Sequence, residues 1–592
     1  MVKKLLSLCL LALVSVMANA AELVIAKNGK SDYQIVIPDR ATDKAAVKAA
    51  DDIVDRWLFM TAKLMEAAFR TNGFDVAVVR ESARAPERPG IYLGATDFAK
   101  KNGIKAEQHD DWTYYQKVVG KDLIIVGNDR RDPVKTISGT GGMLPLALLG
   151  TVKGACDFLR QYVGVRFLFL NTSLDRYVAR GEGASQIDTR SIAFLPVKRI
   201  AVPADLDLQK TPMLRACADC DANRETFYYI ANNFFPMLSS VQGSIVHWEK
   251  IIPRAEYAAS HPEYFALKPD GTRTCEDPVS VNEVGEEKHC PTHPGVQDLM
   301  VQALERLVQD GEKTIQIMTP DAHRLCWCNC ERCTRLFGGK AESLKEVWAR
   351  SRTGKLWQVY FAIMERLRQK YPEARFVIWD YQATPICTVR EYPKNVIPQA
   401  QIGKPADLDR LEGIRFPAGI CGLEETFTGF GAAGQFLPER TPEYIAGIVQ
   451  SMARWNVKWT TRDGAIGHVR GLQAPVYYVY GRMLDDPSAD WRGIFEEFCT
   501  AAFGDVAPVM TRFYNQLHEQ IAHYSDFFGV FMPAWNPKYR GTYRNNKWHV
   551  MSMYPPEYCA AADGMLASAE RRTKDPDVKA RLHVRIFRPE FG

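Results

Sequence analysis

The chain opens with short apolar runs of β character that alternate with segments in which apolar residues recur every three or four positions. LVIAKNG, YQIVIP, VAVV, GIYLG and YYQKVVGKDLIIVG read as strands, whereas ATDKAAVKAADDIVDRWLFMTAKLMEAAF reads as one long amphipathic helix. GACDFLRQYVGVRFLF predicts a helix running into a further strand. Residues 21–191 therefore form a compact α/β domain of ordinary size, and residues 192–224 read as a less regular link. From 225 to 504 the pattern becomes strand, loop, long helix, repeated. GSIVHW, EYFAL, TIQIMTP, ARFVIWDYQ, AQIG, AGICGLEE and VKWTTRDG are the strands; VQDLMVQALERLVQD, TGKLWQVYFAIMERLRQKY and TPEYIAGIVQSMARW are the helices. Such a βα series suits a (β/α)8 TIM-like barrel with some helices irregular or missing. Residues 505–592 read as a helical C-terminal region.

Composition changes this picture little, except at the N-terminus. Hydrophobic residues make up 46% and charged residues 24% of the 592, an ordinary globular balance. Lys3 and Lys4 precede an apolar run from Leu5 to Met17 and then Ala18-Asn19-Ala20, the layout of a secretory signal peptide over residues 1–20. The expected product is periplasmic or secreted, cleaved near Ala20, with no transmembrane segment in the mature chain. Its formal charge of +5 falls to +3 without Lys3 and Lys4, too little to imply a nucleic-acid partner. The 12 Trp, 24 Tyr and 28 Phe offer flat faces that stack on sugar rings, although most aromatic residues are simply core.

Functional side chains of a barrel gather at the C-terminal ends of its strands. There the sequence places His247 and Trp248 after SIV, Asp321 and His323 after TIQIMTP, and Asp380 and Tyr381 after RFVIW. Glu424 and Glu425 follow AGICGL, and Asp463 follows VKWTTR. Glycoside hydrolysis needs this inventory: one carboxyl to protonate the leaving oxygen, a second carboxylate to attack or to activate water, and aromatic walls around the ring. Acids at strand ends also cap the helices that follow, so each one has a structural reading as well.

YQIVIP, AAVKAADDI, PGIYLG, KDLIIVG and GACDFLRQYVGVRFLFL together resemble the N-terminal α/β domain of α-glucuronidases and β-hexosaminidases. HPEYFAL (261–267), HCPTHPGV (289–296), TIQIMTPDAHRLCWCNCERC (314–333) and YVYGRMLDDPSADWRGIFEEFCTAAFG (478–504) are similar to motifs of a bacterial family of exported, uncharacterised glycoside-hydrolase-like proteins with a TIM-like barrel and a CxCxxC loop. The resemblance implies a barrel acting on polysaccharide. It selects Asp321 and Glu424 as the working pair, with Asp463 third. Two departures from the family pattern stand here: Pro320-Asp321-Ala322 where the family carries an Asn-Asp-Gly-like ending, and Leu423 where it carries an aromatic residue. Asp380 and Tyr381 become candidates for substrate hydroxyls, and Trp248, His261 and His468 for stacking or hydroxyl contacts. For His261, which precedes Pro262, a structural hydrogen bond in its loop is an equal reading.

RLCWCNCERC (324–333) places four of the chain's fourteen cysteines within eight residues. With Cys290, the upstream partner that the family motif supplies, Cys328, Cys330 and Cys333 could close a structural zinc site. An exported chain with further thiols at Cys217, Cys220 and Cys275 equally allows disulfides. Redox chemistry is a third reading, weakened because the cluster lies in a barrel loop and not at a helix start in a small βαβ domain. The expected function is thus that of an O-glycoside hydrolase using two carboxylates and no organic cofactor. The alternative is a carbohydrate-binding protein that keeps the barrel without turnover.

Overall fold

The structure is a computed structural model; it describes residues 21–39, 51–131, 147–169, 191–217, 227–236, 244–276, 288–318, 328–342, 346, 354–379, 389–403, 405–424, 440–462, 471–528 and 554–582. The chain divides into two compact units. The first comprises residues 1–131, 147–212 and 226–231, and the second comprises the remainder.

In the first unit the strands are β1 (Glu22–Lys27), β2 (Gln34–Ile37), β3 (Ala77–Arg80), β4 (Gly90–Leu93), β5 (Tyr114–Val119), β6 (Asp122–Gly127), β7 (Asp129–Arg131), β8 (Ala147–Leu149), β9 (Val165–Phe167), β10 (Ile192–Phe194), β11 (Arg199–Pro203) and β12 (Asp207–Lys210). Six of them form one mixed sheet in the order β12-β5-β6-β4-β2-β3. β2, β3, β4 and β6 run parallel, while β5 joins β6 as an antiparallel hairpin. Among the described residues the two long helices that pack on this sheet are α1 (Asp51–Thr71) and α2 (Gly150–Tyr162). The α1 positions Trp57, Leu58, Leu64, Met65, Ala68 and Phe69 are all buried, as their three-to-four spacing requires of a helix with one apolar face. Arg80 at the end of β3 grips Asp55 of α1 with both terminal nitrogens. α2 starts hard against β6: a Cβ on Gly127 would lie 2.5 Å from the Gly150 Cα, so glycine alone lets helix and strand approach this closely.

The second unit holds eight strands in one sheet: β13 (Leu214–Cys217), β14 (Phe234–Pro236), β15 (Ser244–His247), β16 (Thr314–Met318), β17 (Arg375–Trp379), β18 (Val396–Ile402), β19 (Ile420–Glu424) and β20 (Val457–Arg462). The order is β14-β13-β20-β19-β18-β17-β16-β15, and every pairing is parallel. β13 bonds both β14 and β20, so the first strand of the series meets the last, as a barrel demands. Among the described residues, however, β14 and β15 are not paired, and the closed barrel expected from the sequence is not formed. β14 is only three residues long and ends in Pro236, which has no N–H to give to a neighbour. The fold is mixed α/β with an open eight-stranded parallel sheet.

One face of that sheet presents Val246, Ile315, Ile317, Phe376, Ile378 and Val396 to a core completed by α3 (Pro294–Gln309), α4 (Glu331–Phe337) and α5 (Leu356–Lys370). α3 contributes Val296, Met300 and Leu304, and α5 contributes Trp357, Tyr360, Ile363, Met364 and Leu367. Truncating one of these fully buried aliphatic residues to Ala costs about 2–5 kcal/mol. α6 (Pro442–Arg454) begins with Pro442 at its first position and with the Thr441 hydroxyl accepting from the Tyr444 N–H, a standard start signal. Then α7 (Ala474–Asp485), α8 (Trp491–Phe503), α9 (Ala507–Phe528), α10 (Pro556–Arg572) and α11 (Pro576–Leu582) pack in succession. Among the described residues, no helix is long and apolar enough to cross a membrane.

The stretch 192–224, expected to be irregular, contains β10 to β13. EYFAL, expected to be a strand, is a 3-10 turn over Pro262–Tyr264 followed by single bridges, Phe265 to His289 and Leu267 to Arg273.

Candidate functional site

The strand ends come first. β16 stops at Met318, β17 at Trp379, β19 at Glu424 and β20 at Arg462. Asp321, Asp380, Tyr381, Asp463 and His468 lie outside the described residues, and Glu424 is described only in its backbone, which pairs with Ile402 and Arg462. Below these ends the sheet face opposite the helices carries polar groups. Gln316 accepts from the Trp379 indole N–H at 3.2 Å, and Gln399 donates to the Gly422 carbonyl at 3.1 Å and bonds Thr461. Gln316, Gln399 and Thr461 are completely buried. Sequence reading passed over them, although each breaks an apolar strand with a polar residue, which was the available signal.

Trp248 and His261 are placed clearly. Trp248 is 2% exposed and packs edge-on against Tyr360 at 5.8 Å, inside the core. His261 is half-exposed, lies 4.6 Å from Tyr264 in a stacked arrangement, and holds Glu263 at 3.1 Å. His247 pairs with Glu249 at 3.3 Å. His289 is buried with its Nε2 on the Ile252 carbonyl, and burial pulls it down to about 4, so it is neutral.

Among the described residues, the cluster of side chains placed to hold a metal is built from Cys290, Cys328, Cys330 and Cys333, whose sulfurs all lie within 4.8 Å of one another. Cys290 stands just before α3, whose first turn is set by Pro294 and by the His293 ring accepting from the Gly295 N–H. Its own N–H is fixed on the Tyr264 carbonyl at 2.7 Å. Cys330 is the residue before α4, so Cys333 projects from the first turn of that helix. The neighbouring Asn329 ties this segment down: its N–H donates to the Leu267 carbonyl, and its amide side chain bonds both the N–H and the carbonyl of Ala341.

The Cys290 sulfur is 3.6 Å from that of Cys330 and 3.7 Å from that of Cys333. Thr292 Oγ1 sits 3.0 Å from the Cys333 sulfur. The Cys328 sulfur accepts backbone N–H groups from Leu267 at 3.3 Å and from Cys330 at 3.4 Å. Cys290, Cys328 and Cys333 are buried, and Cys330 is partly exposed. The sulfurs compete for protons. Hydrogen bonding from Cys290 brings Cys328 down to about 7 and lowers Cys330 further, while Cys290 and Cys333 are pushed up by the same exchange. All four are free thiols, as is the buried Cys275.

A family described as a domain of unknown function (DUF4838) matches residues 189–404, about a third of the chain, and this span encloses all four cluster cysteines. No curated protein matches. Among solved structures, the chain is similar to a GH138 enzyme targeting pectin rhamnogalacturonan II, with 10% identity and a TM-score of 0.30 over 93% of this chain and 67% of that one. It is also similar to CpGH84B, with 8% identity and a TM-score of 0.30 over 94% and 85%. A third is the beta-N-acetylhexosaminidase from Bacteroides fragilis, with 9% identity and a TM-score of 0.27 over 71% and 75%. Values this low establish no shared substrate or mechanism.

Proposed function

We propose that this chain is an exported O-glycoside hydrolase that acts on a glycan through carboxylates at the ends of its parallel strands. One observation carries the reading. β16, β17, β19 and β20 run parallel in one sheet, and the chain bears Asp321, Asp380, Glu424 and Asp463 within three residues of their last positions. The C-terminal ends of these parallel strands share one edge of the sheet, which supports a common mouth for acids that follow them closely in sequence. Of these, Asp321 and Glu424 are the working pair and Asp463 the third. One carboxyl stays protonated to donate to the leaving oxygen, and its partner attacks the anomeric carbon or activates water. Asp380, Tyr381, His261 and His468 contact the sugar; Trp248, expected from the sequence to stack on a ring, is instead buried against Tyr360 in the core and is left out of the site. No organic cofactor enters this chemistry, and the cysteine cluster serves structure and not the reaction.

The register adds a control. Leu423 pairs with Thr461, and Cys421 with Gln399, so alternate β19 positions share the face of the Gln399–Thr461 bond. Glu425 is the adjacent acid in the sequence, so Glu425→Gln belongs beside Glu424→Gln. The test is release of reducing ends from a panel of polysaccharides and aryl glycosides. Asp321→Asn and Glu424→Gln should each abolish release and leave Tm within a few degrees. Full turnover in both variants sinks the pair; glycan binding without release by the unmodified chain favours a lectin-like protein.

A further inference from the structure

We propose that Cys290, Cys328, Cys330 and Cys333 bind one zinc ion as a closed tetrathiolate that braces the two connections flanking β16. This rests on the structural reading of the cluster given above and is independent of the glycan chemistry. Zinc takes four thiolates at about 2.3 Å in a tetrahedron, whose edges are then about 3.8 Å long. The separations of 3.6 and 3.7 Å from Cys290 to Cys330 and Cys333 match that edge, and all four sulfurs fall within 4.8 Å. Side chains already at these spacings need little movement to enclose the ion.

The surroundings suit thiolates. A Zn(Cys)4 centre carries two negative charges, and hydrogen-bond donors aimed at the sulfurs disperse them. Leu267 and Cys330 direct backbone N–H groups at Cys328, and the Thr292 hydroxyl lies against Cys333. Because Cys290, Cys328 and Cys333 are 0–1% exposed, no position is left for water or substrate, which makes the centre structural. Its mechanical effect follows from topology. Cys290 lies on the connection between β15 and β16, and Cys328 to Cys333 lie on the connection leaving β16. One ion thus fastens the chain before α3 to the chain entering α4, two segments that, among the described residues, share a few backbone bonds through residues 264–267.

The test is metal analysis of the full chain purified without chelator. One zinc per chain is expected, and cobalt(II) exchanged into the site should show the intense visible bands of a tetrahedral tetrathiolate. Cys333→Ser should lose the zinc, whereas Cys421→Ser, a buried cysteine outside the cluster, should keep it. If Cys333→Ser fails to fold, the stoichiometry and the cobalt spectrum of the unmodified chain still decide. A coloured iron centre, four free thiols without metal, or a thiol count in denaturant short by four would each overturn the proposal. A zinc-loaded chain without glycosidase activity removes only the hydrolase reading, and an active chain without zinc removes only this one.

Discussion

Two buried polar knots, one in each unit, differ in whether their own side chains complete them. In the first unit Asp157 of α2 accepts the Tyr114 hydroxyl at 2.6 Å and Lys153 at 2.8 Å, with Arg160 at 3.5 Å and Lys210 at 3.6 Å. Lys153 is fully buried, and Arg160 also donates to the Ala231 carbonyl at 2.7 Å. Anion, cations and carbonyl are all supplied by the chain. In the second unit four sulfurs face one another, and among the described residues backbone N–H groups and a hydroxyl lie against them. Thiols so arranged can share protons, but a set of thiolates repels itself until a cation arrives. Comparable burial therefore produces a finished ion network in one place and a ligand cage in the other.

Removing the cation should have the largest effect. Stripping zinc with a strong chelator, or Cys290→Ser, is expected to cost several kcal/mol and lower Tm by about 10 °C or more, because metal-binding energy is folding energy in such centres. Calorimetry with and without added zinc measures this; a Tm indifferent to chelator would erase the contrast between the two knots. Next comes Asp157→Ala, which strands Lys153 and should cost about 3–5 kcal/mol in urea unfolding, with no response to zinc. The paired change Asp157→Leu with Lys153→Met should recover part of that loss, since it removes the stranded Lys153 charge while Arg160 keeps the Ala231 carbonyl.

The smallest effect isolates burial of a single ionisable ring. His518 on α9 is 8% exposed, its Nε2 has no hydrogen-bond partner among the described residues, and burial lowers it to about 3 from 6.5. Below pH 6.5 the unfolded chain takes up a proton that the folded chain refuses. Stability is thus full above pH 6.5 and falls as the pH drops, by about 2 kcal/mol at pH 5. His518→Phe should flatten that slope in chemical unfolding followed across pH 5–7. An unchanged slope would mean that water reaches the ring.

Elements with long, regular patterns were legible in the sequence. β16, β17 and β19 are mainly apolar runs, and α3, α5 and α6 repeat apolar residues at helical spacing, so local patterning and burial agree. β13 and β14 were not legible, because LRAC carries a charge in its middle and FFP ends in proline, so neither stands out as an apolar strand. β13 exists through its neighbours, with Leu214 set beside Trp459 and Ala216 beside Thr461. EYFAL misled for the opposite reason: its apolar residues suit a strand, but Pro262 starts a turn, and Phe265 and Ala266 are buried without a ladder. Of the candidate site, the spacing of Cys328, Cys330 and Cys333 stood out at once, and Cys290 came from its motif.

By itself the sequence determined the long helices and the apolar strands, which thiols are close along the chain, and which acids follow apolar strands, since all of these are properties of near neighbours. Tertiary structure alone decided that Cys290 meets Cys330 across forty residues, that Lys153 and Asp157 are sealed from water, and that Gln399 reaches Thr461. Such meetings depend on strand register and helix packing summed over the whole unit, which no local pattern records.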